Sequence, residues 1–270
     1  MTSFGVVDLD DRPPVTLSAL EFDVLWGHLK PGTMPLVVKV PSPGRTHEER
    51  SAIEERVWAG LDQRGLGRRV DVHPEVEHLF GVIARPDREI DGRTWVGRPL
   101  RFLVCATGSD AAVVTLSGDQ ITLGRTSAAN LPFAAVGLLP AHPAGPGQSV
   151  TLRTEDFEAA AREGDGTQKG FELALSSRGV RKDDVDALVA MLDDVRGTGN
   201  LGAASRDRLG RRHRADRVVS FFDTDAGRYV QVRRPGPDGT AWTTISPADN
   251  RRMAHNVEEM LAEVRRTAED

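Results

Sequence analysis

One order of helices and strands occurs twice along this chain of 270 residues, and the repeat restricts the folds available to it. Each copy begins with a Val-Thr-Leu strand that leads into a helix, at residues 15–17 and again at 150–152. Each copy continues into a meander of short β-branched and aromatic runs followed by a helix, at 100–139 and from 217 onward. Such short strands leave a sheet edge uncovered in each copy. The repeat therefore favours two copies joined in one sheet.

Residue correspondences define how the two copies align. Residues 102–104 fall on 218–220, residues 113–114 on 229–230, and residues 131–139 on 253–261. A connector rich in Pro and Gly at 140–148 separates the copies, because it cannot continue a helix or a strand. We predict an α+β fold with a quasi-twofold internal duplication, in which helical bundles pack on a central, mostly antiparallel sheet. The predicted parts are an N-terminal half at 15–140, a C-terminal half at 149–266 and a flexible arm at 1–14.

Several local patterns predict elements of this sheet and its surroundings. An apolar run at 36–40 predicts a strand, and the pattern at 88–95 predicts an edge strand with a weak point or turn at Asp91 and Gly92. Apolar residues at helical spacing predict a helix that extends to Val195. In the second meander, Asp223 and Asp225 are interpreted as turn residues.

Composition and charge limit the classes of partner. The formal net charge of −5 and the pI near 5.8 give no overall attraction to nucleic acid or to an anionic membrane. The single cysteine, Cys105, cannot form an internal disulfide, which fits a reducing compartment. No apolar run approaches the ~18 residues that span a bilayer, and the first residues lack the regions of a secretory signal. We expect a cytoplasmic protein without nucleic-acid or membrane partners.

Three patterns that suggest chemistry have simpler structural interpretations. His73 and His78 are five residues apart, and His73 lies at a helix start, so the two do not share a helical face. The glycines at 197–202 match a dinucleotide-binding pattern, but a helix precedes them where that motif requires a strand. Cys105 lies in an apolar run and is expected to pack as a small hydrophobe. We expect no catalytic residue, no metal site and no cofactor, and we predict that the chain is not an enzyme.

A basic stretch at 206–217 contains six arginines. Arginine binds phosphate well, so nucleic-acid binding is one interpretation of this stretch. Asp207 and Asp216 interrupt it, however, and no aromatic residues suited to base stacking accompany it. A solvated or partner-facing loop is therefore the better interpretation.

Several stretches together resemble the EspG family, the cytosolic chaperones of the ESX (type VII) secretion systems of actinobacteria. They are residues 17–26 (LSALEFDVLW), 35–45 (PLVVKVPSPGR), 138–152 (LLPAHPAGPGQSVTL) and 221–245 (FFDTDAGRYVQVRRPGPDGTAWTTI). The resemblance covers nearly the whole chain after the first dozen residues. A composition rich in Arg, Ala, Gly and Asp also suits a high-GC actinobacterium.

The resemblance implies a function and a contact surface. EspG-like proteins hold the tip of PPE proteins in PE–PPE heterodimers, keep these secretion substrates soluble and direct them to their own secretion system. The implied contacts come from the sheet, from a loop at about 91–99 and from helices at about 169–195. The candidate partner-binding residues are Asp91, Arg93, Trp95, Arg98, Arg181 and Asp184. Arg and Trp are favoured interface anchors, although covering the sheet is an equal alternative for Trp95.

Two other hypotheses remain open beside a chaperone for a PE/PPE-like or other helical-hairpin ESX substrate. A small-molecule-binding or hydrolytic enzyme that uses the cleft between the two halves would have an enclosed pocket with converging polar groups. A homodimer paired through an edge strand is compatible with the chaperone function.

Overall fold

The computed structural model describes residues 13–269, so most of the arm predicted at 1–14 lies outside the described residues. Its strands are β1 (Val15–Ser18), β2 (Gly67–Arg68), β3 (Asp71–Val72), β4 (Arg88–Val96), β5 (Pro99–Thr107), β6 (Asp110–Ser117), β7 (Gln120–Arg125), β8 (Val150–Arg153), β9 (Val195–Arg206), β10 (Arg212–Arg214), β11 (Val219–Thr224), β12 (Gly227–Pro235) and β13 (Ala241–Pro247). Its helices are α1 (Ala19–Leu29), α2 (His47–Gln63), α3 (Pro74–Ala84), α4 (Leu131–Gly137), α5 (Thr154–Glu163), α6 (Gln168–Ser177), α7 (Lys182–Met191) and α8 (Asn250–Glu269).

One sheet runs through both halves of the described chain. Its strands follow the order β1-β7-β6-β5-β4-β9-β11-β12-β13-β8, and the short β10 pairs with β9. Every neighbouring pair in this order is antiparallel. Read from either end, the order is an edge strand followed by a meander, and the two series meet at β4 and β9. The predicted α+β fold with a central antiparallel sheet is confirmed.

The strand registers relate the two halves by a quasi-twofold axis. Val15 and Val150 occupy corresponding positions in the two outermost strands, as the Val-Thr-Leu match predicts. At the centre of the sheet, Gly92 of β4 lies opposite Leu201 of β9. The axis passes between these two residues, because the pairing of β4 with β5 on one side matches the pairing of β9 with β11 on the other.

The hairpins of the two meanders align one residue away from the predicted correspondence. Both hairpins turn through two residues, at 108–109 and at 225–226. This register places Val104 at the position of Phe221, whereas the sequence match paired it with Ser220. A step of one residue exchanges the two faces of a strand, and Val104 and Phe221 do share one core cluster. The predicted match was wrong because runs that are apolar on both faces do not fix a register.

The two faces of the sheet are covered differently. Helices α4 and α8 pack over the centre of one face, against residues of both halves such as Ile90 and Phe221. On the other face, α1–α3 pack over Leu103 and its neighbours in the N-terminal half. The helices α5–α7 pack on the same face over Tyr229 and Ile245 in the C-terminal half. Between these two bundles, the middle of the second face remains exposed among the described residues.

Capping signals in the sequence place the helices of the N-terminal bundle. At the start of α1, Ser18 Oγ accepts a hydrogen bond from Glu21 N–H, and the Glu21 carboxylate accepts one from Ser18 N–H. The helix then brings Phe22 and Trp26 against Phe80 of α3, with ring centroids 5.1 to 5.5 Å apart. Three buried rings in mutual contact make this bundle a firm support for its half of the sheet.

Two local predictions near the bundles were wrong. The run at 36–40 forms a 3-10 turn at Leu36–Val38, in which Val38 N–H donates to the Pro35 carbonyl. Prolines before and after the run lack the N–H donors that a strand in a sheet needs. The last helix before the second meander ends at Met191, since Asp194 adopts a left-handed conformation (φ 51°) and Val195 begins β9.

The strand β4 is central in the sheet, and the edge strand predicted at 88–95 was wrong in this respect. Its partner β9 belongs to the other half and pairs along its whole length, which no local pattern reveals. Asp91 and Gly92 continue the strand and form no turn. Arg214 neutralises the Asp91 carboxylate, and Gly92 leaves room for the Phe102 ring, which a Cβ there would approach to 2.1 Å.

Candidate functional site

The exposed middle of the sheet, between the two helical bundles, is the strongest candidate site. Side chains alternate along a strand, so residues 91, 93 and 95 of β4 share one side with residues 198 and 200 of β9. The same side continues onto β11, where Ser220 Oγ donates to Asn200 Oδ1 at 2.6 Å. We call this surface the open face. Its members are Arg93, Trp95, Thr198, Asn200, Ser220 and Gln231.

Two arginines of β10 reach across β9 to carboxylates of β4 beside the open face. Arg214 Nη1 donates to Asp91 Oδ1 at 2.5 Å, and Arg212 Nε donates to Glu89 Oε1 at 2.7 Å. Gly202 of β9 lies beneath this crossing, since a Cβ there would come within 2.3 Å of Arg214 Nη2. The hydrogen bonds to Asp91 hold the pKa of Arg214 above its usual value. The prediction of a solvated or partner-facing loop was therefore wrong for residues 212–214 of the basic stretch, which form an ion-paired strand.

Among the predicted partner-binding residues, Asp91, Arg93 and Trp95 project from one side of β4. Arg93 is exposed, and Trp95 is 52% exposed. Asp91 is buried beneath Arg214, so its carboxylate is already occupied within the chain. Arg93 and Trp95 therefore remain predicted contacts that a partner can reach.

Arg98 is exposed in the tight turn at 97–98, the residues that separate β4 from β5. The contact loop predicted at 91–99 is therefore mostly strand, and only its last part is a connection. The physical reason is again the pairing with β9, which keeps this segment extended.

Arg181 and Asp184 lie in the other half, at the start of α7, where they form an ion pair of 2.8 Å. A carboxylate in the first turn of a helix also interacts favourably with the helix dipole. This pair thus has a local role in beginning α7. Among the described residues, no hydrogen bond or ion pair joins it to Arg93 or Trp95, and its part in partner binding stays a prediction.

Sequence reasoning missed the open-face residues of the second half. Asn200, Ser220 and Gln231 become neighbours only because β9, β11 and β12 pair in one register. Arg101 was also missed, although it lies directly opposite Arg93 on β5. Polar residues inside strongly apolar strands were the available signal, because a strand buried on both faces would exclude them.

The glycine-rich stretch at 197–202 lies inside the central strand β9. A Cβ at Gly199 would come within 2.4 Å of the Phe221 ring. These glycines therefore permit close packing of side chains over the backbone. Cys105 is fully buried, as its apolar run predicts, and burial raises the pKa of its thiol.

A cavity of about 1120 Å³ lies beside β10, β12 and α8. Two of its lining residues form an ion pair, in which Arg217 Nε donates to Glu263 Oε2 at 2.8 Å. The hydrogen bond from Arg217 holds the pKa of Glu263 below its usual range. Within residues 13–269, no group of three or more His, Cys, Asp or Glu side chains is placed to hold a metal ion. None of the described helices is both long and apolar enough to cross a membrane.

Known proteins share both the sequence pattern and the fold. The chain is 25% identical over 202 residues to the ESX-1 secretion-associated protein EspG1 of Mycobacterium tuberculosis. The aligned region covers 70% of this chain and 66%, just under two thirds, of that relative. It is 24% identical over 212 residues to EspG1 of Mycolicibacterium smegmatis, covering 76% of this chain and 70% of the relative.

A solved structure has the same fold. It is the Mycobacterium tuberculosis type VII secretion system chaperone EspG5, determined in complex with a PE25–PPE41 dimer. The two chains superimpose with a TM-score of 0.72 at 16% identity, over 93% of this chain and 96% of the other. The EspG family model matches residues 18–259. With most of its length inside that match, the chain belongs to the EspG family.

Proposed function

We propose that this chain is a cytoplasmic chaperone of a type VII secretion system. It binds a PE/PPE-like or other helical-hairpin substrate, keeps that substrate soluble and directs it to export. The open face is the observation that carries the proposal. It places an exposed tryptophan and a band of polar side chains in the middle of a sheet, where two helical bundles border it.

The family supports the class of partner. EspG1 relatives are secretion-associated proteins, and the EspG5 structure is that of a chaperone in complex with a PE25–PPE41 dimer. The proposal transfers this role to the present chain through its family membership and fold.

The chemistry of the open face fits recognition better than catalysis. A partner helix would bury Trp95 and exchange hydrogen bonds with Asn200, Ser220 and Gln231, which gives an apolar anchor with polar surroundings. The shifted pKa values of Arg214, beside the open face, and of Glu263, on α8 across the sheet, are each explained by an ion pair. We propose a non-enzymatic role on this ground, with binding as the whole function.

The experiment is co-expression with a PE–PPE pair from the same genome, followed by size-exclusion chromatography with light scattering. The expected result is a soluble complex with one chaperone per substrate and a substrate that precipitates without it. Trp95→Ala should weaken binding by about thirtyfold or more, as for an anchor worth at least ~2 kcal/mol.

Trp242→Ala is the matched control, because Trp242 is 38% exposed and projects from the opposite side of the sheet. It should leave the affinity unchanged. Failure of the wild-type chain to form a complex with any such pair would refute the chaperone proposal. A mass of two chaperone chains without substrate would instead support the homodimer, and equal losses in the two variants would show that the open face is not the contact surface.

A further inference from the structure

Two arginines lie directly opposite each other in the middle of the sheet. Arg93 on β4 and Arg101 on β5 are cross-strand partners, so their side chains project from the same face. Like charges at such positions destabilise a sheet. Within residues 13–269, neither arginine forms an ion pair with a carboxylate. The chain thus keeps an unfavourable pair of cations where a neutral pair would fold better.

Arg93 of this pair lines a cleft of about 320 Å³ with an excess of positive charge, and its cross-strand partner Arg101 lies outside the lining, two residues before the lining residue Leu103 on β5. Four arginines line this cleft together with two carboxylates, Glu89 and Asp91. Both carboxylates are already satisfied by Arg212 and Arg214. Arg206, another member of the lining, donates to the backbone carbonyls of Pro86 and Gly210. Among the described residues, no carboxylate therefore neutralises the positive charge of Arg93 or of Arg206.

An apolar wall borders the same cleft. Leu36 and Val37 of the 3-10 turn line it together with Met34 just before that turn, and Leu103 of β5 also contributes to the lining. Leu36 is 74% exposed, which is unusual for a large aliphatic side chain. The cleft thus offers a cationic side and an apolar side to one occupant.

We propose that this cleft takes an acidic side chain flanked by an apolar one, presented at the tip of the helical-hairpin substrate. The inference deepens the proposed function and rests on it. The substrate carboxylate lies between Arg93 and Arg101 and relieves their repulsion, while its apolar neighbour packs against Leu36. Charge complementarity at this point selects among substrates that share the same helical shape.

A protein carboxylate fits the cleft better than a phosphate of a nucleic acid. A polyanion would cover the apolar wall of Met34, Leu36 and Val37 without placing an apolar group of its own against it. The cleft volume of about 320 Å³ suits one or two side chains.

The test uses the full chain and the PE–PPE pair that it retains in co-expression. Arg93→Glu and Arg101→Glu are each expected to weaken binding by about ten- to a hundredfold, and raising the salt concentration should weaken the wild-type complex more than the variants. Arg265→Glu is the matched control, because this exposed arginine lies on α8, across the sheet. It should bind as the wild type does.

A second pair of measurements separates a charge contact from a loss of structure. Arg93→Glu should raise the Tm of the free chaperone by up to about 4 °C, since an opposite-charge pair replaces a repulsive one. Exchange of an acidic tip residue of the substrate for arginine should restore binding to Arg93→Glu. Wild-type affinity in both arginine variants would overturn the inference while leaving the chaperone function intact. Loss of self-association in the variants with unchanged substrate binding would assign the cleft to a second copy and overturn it too. Absence of any wild-type complex would overturn both proposals.

Discussion

The two quasi-equivalent hairpins show how one backbone plan serves different purposes. In the N-terminal half, Ala106 lies opposite Ala111 near the turn of β5 and β6. At the same place in the C-terminal half, Asp223 lies opposite Arg228. Two small apolar residues in one half thus correspond to a buried ion pair in the other.

The buried arginine connects parts that its N-terminal counterpart cannot reach. Arg228 is fully buried and donates to both carboxylate oxygens of Asp223, at 2.6 and 2.8 Å. It also donates to the Pro140 carbonyl of the connector and to Asn250 Oδ1 at the start of α8. Asp223 was predicted as a turn residue, and that interpretation was wrong, because it lies in β11. The pair therefore fixes the connector and the last helix to the sheet.

The two bundles also differ in their cores. The N-terminal bundle encloses fully buried rings of Phe22 and Phe80. In the C-terminal bundle, Phe157 and Phe171 are only partly buried around a smaller cluster. The C-terminal bundle is thus the less tightly packed of the two supports of the open face.

The largest expected effect comes from breaking the buried pair. Arg228→Ala leaves Asp223 buried without its partner and should lower the free energy of unfolding by about 3–5 kcal/mol. Urea denaturation followed by circular dichroism measures the change.

The double variant Asp223→Ala/Arg228→Ala is the matched control, since it introduces the alanine pair of the N-terminal hairpin. It should lose less stability than the sum of the two single variants. Additive losses would show that the two side chains stabilise the C-terminal half independently.

Truncating one buried side chain in each bundle tests whether the N-terminal core is more tightly packed than the C-terminal core. Phe80 on α3 and Leu188 on α7 are both fully buried in the helices that precede β4 and β9. Phe80→Ala should cost about 3–5 kcal/mol, and Leu188→Ala should cost less because its smaller cluster can relax around the cavity. A larger loss for Leu188→Ala would contradict the ranking of the two bundles.

Adding a methyl group at the central strands tests the close approach of rings to the backbone. Gly92→Ala and Gly199→Ala would place Cβ atoms 2.1 and 2.4 Å from ring atoms of Phe102 and Phe221. Each should destabilise the protein by about 1–3 kcal/mol in thermal unfolding. Gly81→Ala in α3, where a Cβ meets no atom within 4 Å, should instead be neutral or slightly stabilising. Equal tolerance at all three positions would refute the packing role.

The smallest expected effect concerns acid stability. The pKa of Glu263 is lowered by its hydrogen bond to Arg217, so the stabilisation exists above the ordinary glutamate pKa of about 4.3. It disappears as the pH falls through the lowered value in the folded state. Glu263→Gln should reduce stability at neutral pH by at most about 1 kcal/mol, and the difference from the wild type should vanish in acid.

Glu258→Gln is the control on the same helix, because Glu258 is exposed and forms no ion pair within residues 13–269. Its stability should follow the wild-type pH curve. A pH-independent loss in Glu263→Gln would show that packing, and not the charge, is responsible.

Local signals in the sequence predicted much of this fold. The capping boxes at α1 and α2 and the two-residue turns each depend on residues within three or four positions of one another. Such local features can be predicted from the sequence alone. The central position of β4 was not, because its partner β9 lies far along the chain. The same holds for Arg101, whose place opposite Arg93 depends on the register of β5. Of the candidate site, sequence reasoning supplied Arg93 and Trp95 but not the neighbours that complete the surface.

The pairing of β4 with β9 affects how the chain folds during its synthesis. During synthesis from the N-terminus, β4 emerges long before β9 and has one long side unpaired in the meantime. A contact between residues so distant in sequence is slow to form, and an unpaired strand is prone to association with other chains. The nascent N-terminal half is therefore itself an aggregation-prone species until the C-terminal half completes it.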